Sequence, residues 1–310
     1  MRKVIAMGET IMDIIFHGEQ PTAAVPGGSS FNSIISLGRA GVPAVFLGET
    51  GRDEVGRRIA AFLRSNHVDA RFLRMRDDIQ SAVSLAFLDE RNDAHYMFYK
   101  QPPRTLPDFE QPEVEADDVV QFGSYYALNP HIRPQVKGFL QHARDRQAIL
   151  YYDVNFRRPH AAELERLFPA ILENYHLADI VRGSADDFEV MYGQRDPEAI
   201  YRRHIAAHCP LFICTQGGEG ITLCTPQGVF RFDVPQVRTV STIGAGDNFN
   251  AGLIYGLIRH AIRRADLPTL TRTQWEPLID CGRRFSAHVC ASIHNSIDED
   301  FGREMAEGLR

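Results

Sequence analysis

Ser241-Thr242-Ile243-Gly244-Ala245-Gly246-Asp247-Asn248-Phe249 is the stretch whose reading decides the fold. Gly244 and Gly246, with only Ala245 between them, let the backbone turn tightly and bring bare N–H groups up to a ligand. Downstream, Phe249, Leu253, Leu257 and Ala261, and again Ile254, Ile258 and Ile262, recur at helical spacing, which predicts a helix over 249–265. A helix start presents unpaired N–H groups and roughly half a positive charge, a setting that suits an anion. Asp247 falls in that first turn. It can be a cap favoured by the helix dipole, or it can take a proton from a hydroxyl that attacks a phosphate. A dinucleotide fingerprint is excluded, because position 249 is Phe rather than a third glycine. A Walker loop is excluded by the absence of a Gly-Lys-Ser/Thr triplet.

Working outward, short apolar runs alternate with longer amphipathic stretches. Strands are expected at 4–7, 42–47, 119–122, 148–153, 180–181 and 211–215. Helices are expected at 31–40, 53–65, 133–144, 162–175 and 185–192. This β-then-α rhythm predicts a mostly parallel sheet flanked by helices, with ligands bound beyond the carboxyl ends of its strands. Residues 14–26 and 71–100 break the rhythm with short alternating segments, among them 81–88 and 95–99, and with Asn92-Asp93 at a hairpin turn. They read as a small sheet outside the main one, or as an irregular edge of the core. The Pro-rich 101–112 segment returns the chain to the core.

The 310 residues suit one large α/β unit or two smaller ones. A chain of this length buries enough surface to need no metal or disulfide staple. Its 44% hydrophobic and 24% charged content is that of an ordinary globular protein. A net charge of −6 without a Lys/Arg block argues against nucleic acid as a partner. The five cysteines are odd in number and lack CxxC spacing, so neither a disulfide framework nor a zinc site is indicated. Glu9 and Asp13 interrupt the amino-terminal apolar run, and no run approaches the roughly 18 apolar residues of a membrane span. A cytoplasmic protein with no membrane partner is the expectation.

The polar residues at predicted strand ends are the candidates for chemistry. Asp13 follows the first strand, Gly27-Gly28 precedes a helix, and Asn32 lies near that helix start. Asp153, Asn155 and Arg157 alternate after the 148–152 run, which on an extended segment puts them on one face. Thr215-Gln216-Gly217-Gly218-Glu219-Gly220 follows the 211–214 strand. Each has a plain structural role open to it, as turn acid, tight loop or cap. Their shared placement at one sheet edge points to a composite site.

The order of these motifs resembles the ribokinase-like (PfkB-type) carbohydrate kinases over nearly the full length. The resemblance rests on Gly8, Glu9 and Asp13, on Gly27, Gly28 and Asn32, and on Asp153-x-Asn155-x-Arg157. It extends to Thr215-x-Gly217-x-x-Gly220 and to Gly244-Ala245-Gly246-Asp247. It implies a three-layer α/β/α sandwich with a small β-sheet lid, the core being 1–13, 27–70 and 101–310 and the lid 14–26 and 71–100. In such kinases the lid covers the sugar and often mediates a homodimer. By the resemblance Asp13, Gly27, Gly28 and Asn32 bind sugar hydroxyls. Asp247 is the general base toward the γ-phosphate of ATP, and the N–H groups of Gly244, Ala245 and Gly246 form the anion hole. Thr215, Gly217 and Gly220 line the nucleotide site.

Two positions depart from the pattern. Ser241 stands where relatives usually carry the Asp linked to a monovalent-cation site, so the resemblance does not carry K+ dependence over. The Asn-x-x-Glu pattern associated with Mg2+ and phosphate is Ser184-Ala185-Asp186-Asp187, leaving Asp187 to act on Mg2+ through water. The 153–157 stretch and Phe98-Tyr99-Lys100 resemble fructokinases and 2-keto-3-deoxygluconate kinases. Lys100 and Arg157 could attract a sugar-acid carboxylate. The expected substrate is nonetheless a neutral ketose such as fructose, phosphorylated on its primary hydroxyl. Three alternatives stand beside it: a sugar-acid kinase, a nucleoside kinase, and a catalytically silent sugar- or nucleotide-binding regulator.

Overall fold

The computed structural model describes residues 2–88, 94–101 and 110–309. The chain begins β1 (Val4–Met7), β2 (Ile11–His17), β3 (Gln20–Gly27), α1 (Ser29–Arg39), β4 (Ala44–Gly51) and α2 (Glu54–Ser65). Four short strands follow: β5 (Val68–Asp69), β6 (Leu73–Arg76), β7 (Val83–Leu88) and β8 (Ala94–Tyr99). The β/α alternation then resumes through β9 (Val119–Gly123), α3 (Arg133–Asp145), β10 (Ile149–Asp153), α4 (Leu164–Leu177), β11 (Ile180–Ser184) and α5 (Ala185–Tyr192). After the one-turn α6 (Pro197–Ile200) come β12 (Phe212–Thr215), β13 (Ile221–Thr225) and β14 (Gly228–Phe232). Helices α7 (Ala245–Arg259), α8 (Arg272–Cys290) and α9 (Glu299–Glu307) complete the chain.

The large sheet runs β14-β13-β12-β11-β10-β9-β1-β4-β5, with β6 also paired to β4. From β12 to β5 every pairing is parallel, whereas β13 and β14 are added as antiparallel hairpin strands. Both faces of the parallel strands are covered, as period-2 geometry shows. Val4 and Ala6 of β1 join the core beneath α1, α7 and α8; Ile5 and Met7 join the one beneath α3 and α4. Ile149 and Tyr151 against Leu150 and Tyr152 repeat the division in β10. This is the three-layer sandwich expected.

A separate four-stranded sheet, ordered β3-β2-β7-β8, stands off the core. It is mixed, since β2 and β7 pair in parallel. Two boundaries move. The sheet takes in residues 11–27 rather than 14–26, and β6, grouped with it from the sequence, pairs in parallel with β4 of the large sheet. The Asn92-Asp93 turn and residues 102–109 of the Pro-rich segment lie outside the described residues.

Helix α7 starts four residues before its predicted apolar stripe and ends at Arg259 rather than 265. Ala261 adopts a left-handed backbone (φ 52°), with Ala261 N–H donating to Ile258 O and Ile262 N–H to Leu257 O. That double bond is a C-terminal stop motif, which the continuing apolar spacing hid. Helix α8 packs on α7 through small residues. A Cβ at Gly252 would fall 2.3 Å from the Cys281 carbonyl oxygen, and one at Gly282 would fall 2.7 Å from the Phe249 ring. No described helix is long and apolar enough to cross a membrane, and the five cysteines are unpaired.

Candidate active site

The carboxyl ends of β10, β11 and β12 and the start of α7 converge. Gly244 is the residue before the helix, with φ 76°, and a Cβ there would lie 2.7 Å from the Asn295 carbonyl oxygen. Only glycine meets both conditions. The turn is held from below by Asn248, whose side-chain amide donates to Gly244 O and Asn295 O, both at 2.8 Å. Its own oxygen accepts from Ser36 of α1 at 2.5 Å. Of the expected trio of N–H groups, that of Ala245 donates to Thr242 O (3.2 Å). Those of Gly244 and Gly246 have no partner among the described residues, so the anion-accepting set is narrower than the expected three.

Asp247 occupies the third position of α7. One carboxylate oxygen accepts from Asn32 Nδ2 at 2.8 Å, and its backbone carbonyl accepts from Ser33 Oγ at 2.6 Å. Burial and the neighbouring negative Asp153 push its pKa up to about 6, against the helping influence of Asn32, Arg157 and Ser29. A carboxylate poised there is strong enough to accept a proton and ionised at neutral pH. Because its amide is committed to Asp247, Asn32 turns its Oδ1 inward, where it is buried with no hydrogen-bond partner. Asp13 faces the same space. One of its oxygens accepts from the Ser84 hydroxyl of β7, and burial raises its pKa. Its other oxygen approaches Gly27, where a Cβ would come within 2.8 Å. Gly28, at φ 130°, crosses the Glu9 carbonyl so closely that a Cβ would sit 2.4 Å away.

The 153–157 stretch does not keep its strict alternation. Strand β10 stops at Asp153, and Asn155 turns left-handed (φ 39°). Buried Asp153 is engaged through both oxygens, by Arg182 Nη1 at 3.0 Å and Ser29 Oγ at 3.1 Å. Arg157 is exposed, and its charge favours the ionised forms of Asp247 and Asp187. Lys100 Nζ pairs with Glu9 at 3.2 Å and lies over the Tyr125 ring at 5.3 Å.

On the far side, Ser184 and Asp187 form a reciprocal cap at the start of α5. One Asp187 oxygen accepts from Ser184 N–H (2.7 Å) and Ser184 Oγ (2.8 Å). Burial raises its pKa. Beside it Arg157, Phe156 and Asp187 line a cleft of about 320 Å³. Thr215 Oγ accepts from Arg182 at 2.6 Å, and Gly217 (φ 57°) and Gly220 (φ 112°) shape the following turn. Gly217 is exposed with nothing over it. Ser241 uses its hydroxyl locally, accepting from Ile243 N–H at 3.2 Å.

Sequence reasoning overlooked Ser29, Ser84, Asn248 and Arg182. The serines and Asn248 carry no spacing signal. Arg182 directly follows the apolar 180–181 run inside β11, and a cation within a buried parallel strand is itself a cue.

The family model described as pfkB family carbohydrate kinase matches residues 1–293. Aminoimidazole riboside kinase from Salmonella typhimurium is 28% identical over 271 residues, 84% of this chain and 82% of its own. Fructokinase-1 from Zea mays is 27% identical over 275 residues, 83% of each chain. The structure of Salmonella enterica aminoimidazole riboside kinase with aminoimidazole riboside and an ATP analog superposes with a TM-score of 0.81. It is 24% identical and covers 99% of this chain and 100% of its own. That of Vibrio cholerae O395 fructokinase with fructose, ADP and calcium gives 0.81 at 20% identity, covering 100% and 99%. With that match over almost its entire length, the chain belongs to the pfkB family of carbohydrate kinases.

Proposed function

We propose that this ATP-dependent carbohydrate kinase transfers the γ-phosphate of ATP to a primary hydroxyl of a small neutral sugar, with fructose the favoured acceptor. The observation that carries the reading is the set of carboxylate and amide oxygens turned inward beside Asp247. Asn32 Oδ1 is buried without a partner. A polyol offers several O–H donors to such acceptors. Burying an unsatisfied acceptor costs about 1–3 kcal/mol, which a sugar hydroxyl would relieve.

Asp247 then acts as general base on the attacking hydroxyl, while the Gly244 and Gly246 N–H groups and the α7 dipole stabilise charge on the phosphoryl group in flight. Thr215, Gly217, Gly220 and Ser184 line the nucleotide side, and Arg157 lies between the two halves. The small sheet carrying Asp13 and Ser84 acts as a lid that keeps water from competing for the phosphoryl group.

Were magnesium bound with ATP, it would neutralise phosphate charge, and Asp187 is the residue that would hold it, through water. The donor set fits a Mg2+ that keeps most of its ligands as water and phosphate oxygens. Among the described residues no three His, Cys, Asp or Glu side chains converge as a protein cage, and Asp187 has one oxygen left over from its cap. Ser241, with a neutral hydroxyl occupied locally, supports turnover without K+. The five free cysteines suit a reducing cytoplasm. Exposed Met97, Phe98 and Tyr99 on β8 support a homodimer through the small sheet.

A neutral acceptor is supported against a sugar acid because the Lys100 cation is paired with Glu9, and Asp13 and Asp247 both face the acceptor space. A riboside is the second reading, favoured by the relative at 28% identity, itself named for an aminoimidazole riboside. A coupled ADP-release screen over ketoses, pentoses, sugar acids, sugar phosphates and ribosides, with and without K+, separates these. Fructose turnover well above all others is the expected result. Selective turnover of a sugar acid or riboside overturns the substrate assignment.

A further inference from the structure

We propose that Arg182 is a positioning residue of the transfer site: from beneath the first turn of α7 it neutralises Asp153 and so keeps Asp247 in its ionised, proton-accepting form. The proposal rests on the reading of Asp247 as the base.

Arg182 lies in β11 and is only 5% exposed. A cation so deeply placed needs partners, and here they come from three motifs. Nη1 meets Asp153 at the end of β10 (3.0 Å), and Nη2 meets Thr215 at the end of β12 (2.6 Å). The guanidinium faces the Phe249 ring of α7 at 5.7 Å. A Cβ at Gly246 would stand 3.1 Å from both terminal nitrogens, so the anion-accepting turn rests almost directly on this cation. Glycine at 246 thus has a second role, admitting the guanidinium as well as exposing an N–H.

The connection onward to the base is short. Ser29 donates to the other Asp153 oxygen at 3.1 Å, and its hydroxyl also favours the ionised form of Asp247. The Asp153 charge raises the proton affinity of Asp247, and two such neighbouring carboxylates repel each other unless one is neutralised. The charges acting on Asp247 are Asp153 from β10 and Arg157 from the loop after it, Arg182 of β11 stands behind Asp153, and Asp13 of β2 lies beyond Asn32 beside Gly27. The first turn of α1 contributes only the neutral Ser29, Asn32 and Ser33. Of the two cations, Arg157 is exposed and screened by solvent, whereas Arg182 is buried against Asp153. Removing the Arg182 charge therefore leaves Asp153 to raise the proton affinity of Asp247.

The test is a 13C-carboxyl NMR titration of Asp247 in the ligand-free full chain, with its resonance assigned by loss in Asp247→Asn. Arg182→Met is expected to raise the Asp247 midpoint by about one unit or more, a tenfold change in proton affinity, and to move the acid limb of kcat/KM with it. Arg182→Lys should return both toward wild type. Asp153→Asn/Arg182→Met should titrate at or below wild type, because the repelling charge is gone. A midpoint in Arg182→Met within about 0.2 unit of wild type overturns the proposal, as does a double variant that titrates as high as Arg182→Met. Should Arg182→Met fail to fold, Arg182→Gln, which removes the charge but keeps an N–H donor for Asp153, is read against wild type in the same way; a midpoint within about 0.2 unit of wild type overturns the proposal. If Asp247→Asn turns over normally, the base reading fails, while the NMR midpoints still decide whether Arg182 governs Asp247.

Discussion

The proposed acceptor side and the proposed nucleotide side of the site handle their polar atoms in different ways. Around Asp247 the oxygens of Asn32 and Asp13 are turned inward, and one buried acceptor has no partner at all. Around Asp187 and Thr215 the acceptors are met from within the chain: Ser184 caps with Asp187, and Thr215 holds Arg182, whose Nε is the atom left unpartnered. One half is built to be completed by a ligand. The other has its acceptors largely engaged within the chain and presents backbone, glycine turns and the spare Asp187 oxygen. Specificity should therefore be concentrated on the acceptor side, and substitutions on the two sides should differ in kind.

The largest effect is expected from Asp247→Asn. Losing the base should lower kcat by about 10²–10⁴-fold or more while calorimetry still detects acceptor binding. The sign of its effect on stability is also fixed. Asp247 has a folded pKa of about 6 against an ordinary 3.8, so the folded state holds this proton more tightly than the unfolded chain. Ionisation between those values costs stability as pH rises, and above about 6 the whole penalty is present. Asp247→Asn should match or exceed the wild-type Tm at pH 7. A lower Tm would mean that lost activity reflects damage to the fold.

Next comes Asn32→Leu, which removes both the bond to Asp247 and the inward acceptor. A hydrogen bond to a charged group is worth about 1.5–3 kcal/mol, so kcat/KM should fall on the order of ten- to hundredfold. An equal loss with every acceptor in the panel would argue that Asn32 only steadies the base. A loss that varies between acceptors would locate it against the sugar. The pH profile of the wild type is a milder probe. Asp247 must be ionised to act, so kcat/KM should fall about tenfold per unit below a limb near 6. A flat profile down to pH 5 would break the assignment.

Ser184→Ala probes the other half. Loss of a helix N-cap costs about 1 kcal/mol and should appear as a lower Tm, with the acceptor KM little changed. A large acceptor effect would erase the contrast between the two sides.

How far this contrast could be read beforehand differs by element. The parallel sheet was legible because its strands are apolar on both faces and its helices carry a clear stripe. The helix start that carries Asp247 was legible because two glycines stand just before an apolar stripe of helical spacing. Helix α8 was not, since Pro277 and scattered charges blur its period, and its packing depends on Gly252 and Gly282 meeting neighbours far away in sequence. Strand β6 looked like part of the small sheet because alternation reports a half-buried strand but not its partner. The inward turn of Asn32 Oδ1 follows from a bond to a residue 215 positions away. Sequence spacing carries no trace of that.

The smallest expected effect belongs to Lys100→Met, and its value lies in being small. Lys100 is partly exposed and paired with Glu9, an arrangement worth about 0–1 kcal/mol. If its charge serves the Glu9 pair and the Tyr125 face, then KM for a neutral ketose should change by no more than about threefold. The inhibition constant of a sugar acid should not change either. If instead Lys100 leaves Glu9 to meet a carboxylate, the sugar acid alone should weaken by about tenfold or more. Glu9→Gln gives the complementary reading. Freeing Lys100 should improve sugar-acid binding only if the ammonium reaches the acceptor space, and no change for either ligand would place this pair outside substrate selection altogether.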